Sequence, residues 1–167
     1  MFSPTRTVFE QEKYKILKAS SRDAPIVSAL TKGDWSERVA ISQRRKIDNP
    51  TQIAEDIRAG GALVLYRNDL PVAALSYVRA RDGSWELRRL GVTRTYSGRG
   101  FTSLLVETLE KLAHKAAVRA IRIPVETYAP QYQAYFEKLG FNVDADRTFS
   151  TIFAGTLQPI RMQKLVA

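Results

Sequence analysis

The sequence contains no cysteine and a single histidine, His114. The first absence excludes disulfides, thiolate catalysis and cysteine-ligated zinc or iron–sulfur centres. The second excludes a multi-histidine metal cage and makes any Ser-His-Asp hydrolase depend on His114 alone. Long hydrophobic runs are also missing. The apolar stretches near Ala62 to Tyr66 and Val72 to Leu75 fall far short of the ~20 residues that cross a bilayer, so no membrane partner is expected. Met1 to Lys15 is mostly polar and lacks a signal-peptide core, so a cytoplasmic location is expected. Repeats, low-complexity segments and Pro/Ser-rich linkers are absent. The 167 residues therefore read as one domain, 1–167, with a short N-terminal arm over 1–13. A hydrophobic content of 44% is enough to bury a core.

Charge of one sign is in excess. Twenty-six Lys and Arg stand against seventeen Asp and Glu, a formal net charge of +9. Such a balance fits either a polyanionic partner or a solvated basic surface. One stretch concentrates it: Arg79, Arg81, Arg88, Arg89, Arg94 and Arg99, opposed only by Asp82 and Glu86.

The periodicities predict a mixed α/β order. Tyr14 to Ala19 reads as a strand, and Ser20-Ser21 offers an N-cap for a helix carrying Ile26, Val27 and Leu30. Thr31 to Lys46 is polar and has no clear period. Asn49-Pro50-Thr51 opens a second helix with Ile53, Ala54 and Ile57 on one face and Gly60-Gly61 as its stop. A three-stranded meander follows: Leu63 to Tyr66, Val72 to Val78 and Trp85 to Val92, with turns at Asn68-Asp69 and Asp82-Gly83. A clear helix then buries Leu104, Leu105, Leu109, Leu112 and Ala116. Ile121, Ile123 and Val125 alternate as a strand, parallel to the last meander strand through a right-handed crossover. Pro130 starts a helix with Tyr132, Tyr135, Phe136 and Leu139 on one face. Gly140 caps it, with Phe141 packing back on Phe136. Val143 to Phe153 and Pro159 to Val166 read as two final strands.

The third meander strand breaks its own period. Trp85 and Leu87 share a face, but Leu90 and Val92 keep that face only if the count slips by one through Arg88-Arg89. A β-bulge produces that slip and leaves backbone groups unpaired for a ligand. The alternative is exposure of Leu90 or Trp85. Next comes Ser97-Gly98-Arg99-Gly100-Phe101-Thr102 at a helix start, where glycines let backbone N–H groups approach an anion. The three glycines of a dinucleotide fingerprint and the lysine of a P-loop are not there.

These residues resemble the GCN5-related N-acetyltransferase (GNAT) superfamily. Gly98-Arg99-Gly100 is similar to the centre of the family's Arg/Gln-x-x-Gly-x-Gly/Ala motif, with Ser97 in place of its Arg/Gln and Thr102 in place of its last Gly/Ala. Tyr135-Phe136-Glu137-Lys138-Leu139-Gly140-Phe141 resembles the family's Leu-Tyr-Glu-Lys-Leu-Gly-Phe block. Met162-Gln163-Lys164-Leu165-Val166 is similar to its Met-x-Lys-x-Leu ending. The resemblance spans about residues 14 to 166. It implies a GNAT fold, a mixed sheet of about seven strands with about four helices, and acyl-CoA bound between splayed strands 4 and 5.

The resemblance further implies an acetyl-CoA-dependent N-acyltransferase without a metal. The donor-binding residues it implies are Leu90, Gly91 and Val92 for the pantetheine arm and Ser97, Gly98, Arg99, Gly100, Phe101, Thr102 and Ser103 for the pyrophosphate, with Phe136 nearby. Glu86, eleven residues before Ser97, is the implied general base; the alternative is a strand glutamate paired with Arg88. Phe136 stands where many relatives carry a tyrosine acid, and Tyr132, one turn earlier, is the substitute; core packing is the alternative for these rings. His114 reads as an exposed residue beside Glu110. The acceptor is expected to be a primary amine, set by Thr31 to Asn49 and Phe153 to Gln158. Two rivals remain: an RNA-directed enzyme acting on aminoacyl-tRNA, with nucleic acid as partner, and a CoA-binding module without turnover. A homodimer is compatible with either reading.

Overall fold

The computed structural model describes residues 6–36, 49–127, 130–144 and 160–166. β1 (Thr7–Gln11) and β2 (Tyr14–Ala19) form an antiparallel hairpin. The first of these strands lies where the sequence reading leaves an arm, so the strand count rises by one. Ser20 then opens a single 3-10 turn: its N–H donates to Asp23 Oδ2 at 2.8 Å while Asp23 N–H donates back to Ser20 O at 2.9 Å. α1 (Ala24–Ser36) follows directly.

α2 (Pro50–Ala59) starts as the sequence predicts, with Asn49 Oδ1 accepting from Thr51 N–H at 2.9 Å and proline in the first turn. Gly60 and Gly61 end the helix as expected, with Gly60 at the C-cap and its N–H donating to Ile57 O. They begin β3 (Gly60–Arg67), and Gly60 has an extended φ of −156°. Its missing side chain serves close packing, because a Cβ there would meet Tyr77 O at 2.2 Å.

β3 pairs with β4 (Leu70–Arg79), and β4 with β5 (Trp85–Val92), completing the predicted meander. α3 (Phe101–Lys115) crosses to β6 (Ala120–Thr127), which runs parallel to β5. α4 (Pro130–Lys138) ends in a Schellman motif. Gly140 has φ +93°, Gly140 N–H reaches Glu137 O at 2.9 Å and Phe141 N–H reaches Phe136 O at 3.1 Å. The Phe136 and Phe141 rings then meet edge-on at 6.3 Å. Of the two final strands expected, β7 is only Asn142–Val143 among the described residues and β8 is Ile160–Leu165.

The sheet is mixed and eight-stranded, in the order β1-β2-β3-β4-β5-β6-β8-β7, with β5–β6 as its parallel pair. Alternation along the strands sends neighbours to opposite faces. Leu17, Val64 and Ala74 pack under α1 and α2 with Val27, Leu30, Ile53 and Ile57. Ile16, Leu63, Leu75 and Leu87 pack under α3 and α4 with Leu105, Leu109 and Phe136.

The buried stripe of α3 differs from the expected one. It runs through Leu105, Val106, Thr108, Leu109 and Ala113; Leu104 and Leu112 are half-buried and Ala116 is exposed. Thr108 takes a core position because its hydroxyl donates to Leu104 O at 2.7 Å, within the helix. Burying Leu105 and Leu109 fully contributes roughly 1.5–3 kcal/mol each.

The β4–β5 turn is strapped to β6. Asp82 accepts from Ser84 Oγ at 2.6 Å and Ser84 N–H at 3.0 Å, and Arg122 pairs with its other oxygen. The Ser84 bonds, then Arg122, hold the Asp82 carboxyl well below the usual carboxylate range. A depressed folded-state pKa stabilises the fold above the unfolded value of about 3.9, and that contribution is lost as pH falls towards the folded value. Asp82→Asn should therefore melt earlier than wild type at neutral pH, with the gap closing below about pH 4. Thermal melts across the acid range check this; a gap independent of pH would remove the ionised carboxylate from the account.

Candidate functional site

The site begins with the predicted slip in β5. Ser76 of β4 lies opposite Arg89 and Tyr77 opposite Leu87, so Arg88 is the extra residue of a bulge. Trp85, Leu87 and Leu90 consequently all face the core beneath α3. Arg89 faces the other way. It is 1% exposed and its guanidinium meets Asp56 Oδ2 of α2 at 2.7 Å and Ser76 Oγ at 3.4 Å. Gly91 faces α1, where a Cβ would meet Leu30 O at 2.5 Å. Its place in the site is thus backbone only.

Beyond the bulge the sheet opens. β5 and β6 pair only at Trp85–Ile121 and Glu86–Arg122. Among the described residues the β5–β6 ladder ends at Glu86, before Leu90 and Gly91. The two strands form a V with its closed end at Glu86 and Arg122.

A glycine turn stands at the end of β5. A 3-10 turn, Arg94–Tyr96, leads into Ser97, whose hydroxyl donates to Arg94 O at 2.9 Å. Gly98 and Gly100 have φ of +75° and +81°, and a Cβ at either would meet nothing within 4 Å. These glycines are needed for their left-handed backbone and keep an open space in front of it. The helical bonds start with Leu104 N–H to Gly100 O at 3.0 Å. That leaves the N–H groups of Phe101, Thr102 and Ser103 in the first turn without helical acceptors, pointing outward as the positive end of the α3 dipole.

Around the turn stand Arg94, Arg99 and a residue the sequence reading missed, Arg67 at the end of β3. The Arg99 guanidinium carbon lies 4.8 Å from the Tyr96 ring centre and that of Arg67 lies 6.0 Å from it. Arg67 also donates to the Tyr96 hydroxyl at 3.4 Å, and the Tyr96 and Tyr14 hydroxyls push its pKa up. Phe101 packs on Tyr14 at 5.1 Å and on Tyr96 at 6.1 Å. Arg67 and Tyr96 are 29 residues apart, so no local pattern could join them.

Glu86 sits at the closed end of the V, a quarter exposed, with Arg88 NH2 at 3.3 Å from its carboxylate. The ion pair named as the alternative in the sequence is therefore present, at the closed end of the V. Trp85 beside it is buried and stacks on Tyr77 at 4.5 Å. Phe136 is 1% exposed and belongs to the core with Phe141, as well as touching Tyr135 edge-on at 5.2 Å. Tyr132 lies on α4, its side chain outside what is described. His114 is exposed, and Glu110 pairs with Lys164 at 2.9 Å. Of the two segments expected to set the acceptor, 37–48 of the first and all of 153–158 lie outside the described residues, and 31–36 belongs to α1.

A family model for the acetyltransferase (GNAT) family matches residues 27–141. Solved structures with the same fold include the PaiA N-acetyltransferase of Thermoplasma acidophilum in complex with coenzyme A. It is 15% identical with a TM-score of 0.68, covering 92% of this chain and 99% of that one. The ribosomal-protein-S18-alanine N-acetyltransferase of Escherichia coli is 18% identical with a TM-score of 0.66, covering 92% and 94%. Ard1 of Thermoplasma volcanium is 14% identical with a TM-score of 0.70, covering 93% and 99%.

The open space at Gly100 generates a direct test. Gly100→Asp should keep the fold and weaken coenzyme A binding by at least about tenfold, because the carboxylate fills the anion's place and repels it. Gly100→Asn carries the same left-handed backbone cost without the charge and should lose less. Calorimetric titration of both variants decides; an aspartate variant with wild-type affinity would remove the turn from the site.

Proposed function

The chain belongs to the acetyltransferase (GNAT) family, and from that premise we propose that it moves the acetyl group of acetyl-CoA onto a primary amine by direct attack. One observation carries the reading. The β5–β6 ladder stops after two rungs beside a glycine turn at a helix N-terminus. A slot that ends in an anion cradle suits a long thioester arm terminated by phosphates.

Bound acetyl-CoA supplies an activated acetyl thioester. The backbone of Leu90 and Val92 holds the arm in the slot, as an added strand would be held. The N–H groups after Gly100 and the guanidinium of Arg99 hold the pyrophosphate. The thioester then points to the closed end of the V, where Glu86 stands. An ammonium has no lone pair, so the acceptor must first give up a proton; Glu86 takes it. The nitrogen bonds to the carbonyl carbon and the carbon–sulfur bond breaks. With no cysteine in the chain, the acetyl group passes straight to the acceptor. Phe136 cannot protonate the departing sulfur. A thiol with a pKa near the cysteine reference of about 8.5 leaves tolerably as the thiolate, so an acid is optional.

Two of the similar structures are named as ribosomal-protein alanine N-acetyltransferases, from Escherichia coli and Vibrio fischeri. Acceptors of that kind, and small primary amines, are the class proposed. The RNA-directed alternative draws on the net charge of +9 but gains nothing from the arginine-rich stretch. Arg88 is paired with Glu86 and Arg89 is buried against Asp56. Arg79 lies at the opposite end of the antiparallel β4–β5 pair from Val92 and the turn that carries Arg94 and Arg99.

Release of free thiol from acetyl-CoA, measured over a panel of primary amines, amino-terminal peptides and charged tRNA, tests the reading. Thiol release with acetylated amine is expected; release only with charged tRNA would overturn the acceptor class. Glu86→Gln should lower turnover by about a hundredfold with coenzyme A affinity kept, and the loss should shrink at high pH where the acceptor is already neutral. A wild-type rate across that range would remove Glu86 as the base. Tyr132→Phe should cost under tenfold in rate, or about 1.4 kcal/mol. A drop of a hundredfold or more, with affinity retained, would make Tyr132 the general acid.

A further inference from the structure

Three cations surround the start of α3, and among the described residues no carboxylate pairs with any of them. Asp23, Glu10, Glu86, Asp56, Asp82, Asp144 and Glu110 are the acidic partners in the ion pairs, and none of them serves Arg67, Arg94 or Arg99. Elsewhere in this basic chain the arginines that are drawn inward are matched: Arg89 by Asp56 and Arg122 by Asp82. The turn is different. Arg94 and Arg99 are exposed there, while the half-buried Arg67 is held by the Tyr96 ring and hydroxyl instead of by a carboxylate.

Arg67 is the informative member. Its Nε is buried and has no hydrogen-bond acceptor. NH1 reaches the Tyr96 hydroxyl at 3.4 Å, a long and weak bond. A guanidinium has five donors, and a buried donor without an acceptor is costly unless something else answers it. Arg67 and Arg99 both lie against the Tyr96 ring, at 6.0 and 4.8 Å from its centre, which places two cations beside the turn. The pyrophosphate of the donor is already provided for by the helix N-terminus and the glycine turn. Coenzyme A carries one more phosphate, the 3′-phosphomonoester of its ribose, with a charge near −2.

We propose that Arg67, held beside Tyr96, forms a second anion subsite that takes the 3′-phosphate of the donor and makes the protein select coenzyme A over dephospho-coenzyme A. The proposal rests on the acyl-CoA reading of the site and adds a specificity residue to it from a different strand. Tyr96 is the platform: its ring carries both cations, and its hydroxyl aims Arg67. The Nε and the remaining N–H groups of Arg67 then supply charge-assisted bonds to phosphate oxygens, the geometry in which arginine exceeds lysine.

Titration calorimetry with two ligands, coenzyme A and dephospho-coenzyme A, tests it. Wild type should bind coenzyme A about tenfold or more tightly than dephospho-coenzyme A, with the preference falling at high salt. Arg67→Met should lose that factor for coenzyme A only, leaving the dephospho form unchanged, so that the preference collapses towards one. Arg67→Lys keeps the charge without the fork and should keep part of it. Thermal melts accompany each variant. If Arg67→Met does not fold, the wild-type preference and the lysine variant still decide. A wild type that binds both ligands equally, or an Arg67→Met variant that weakens both by the same factor, overturns the subsite. A wild type that binds neither ligand overturns instead the donor reading on which the subsite rests.

Discussion

A guanidinium cannot be taken out of water alone. Arg89 is almost fully buried, and everything around it follows from that constraint. Asp56 must come from α2 to meet it, and Gln52 Nε2 donates to the second Asp56 oxygen at 3.0 Å. The pair fixes which face of β5 carries Arg89. With Leu87 and Leu90 both required on the opposite face, one residue too many lies between them, and Arg88 is squeezed out as the bulge. Gly91 then meets α1, where no side chain fits. A polar anchor under one helix layer and an apolar demand under the other therefore hold the strand in a register that neither would hold alone.

That local strain is what turns a sheet into a binding site. A regular ladder between β5 and β6 would consume the backbone groups of both strands. Two rungs at Trp85 and Glu86 keep the strands joined at one end only. The crossover helix α3 brings its own N-terminus to the open end, because a β-α-β connection must start where β5 finishes. Slot, cradle and carboxylate thus come from consecutive segments, residues 86 to 103, and need no long-range assembly.

This is why so much was legible in the residues. The slip through Arg88-Arg89, the glycine turn and the block ending Leu139-Gly140-Phe141 are local patterns with local causes. The start of β5 was readable because Asp82-Gly83 turns the chain just before it. What was missed depends on distant partners. β1 shows only Val8 and Phe9 as apolar points and gains its ladder from β2. The stripe on α3 was misplaced because Thr108 satisfies its own hydroxyl and so counts as apolar. Gly60 was legible as the helix stop, but nothing near it in the chain announces its close approach to Tyr77 O. Arg67 had no signal at all: its meaning comes from Tyr96, brought near by the meander.

The V between β5 and β6 also has a cost to the protein in its unliganded form. It is an edge in the middle of a sheet, with backbone groups that any extended peptide could pair, and sheet edges are where chains stick to one another. Edge strands at the rim of a sheet can be shielded by charge or by shortness; this one has to stay accessible because it is the slot. In the proposed binding mode the donor acts as a temporary strand that closes the sheet, so the backbone that binds substrate is also the backbone that would otherwise stand as an open edge.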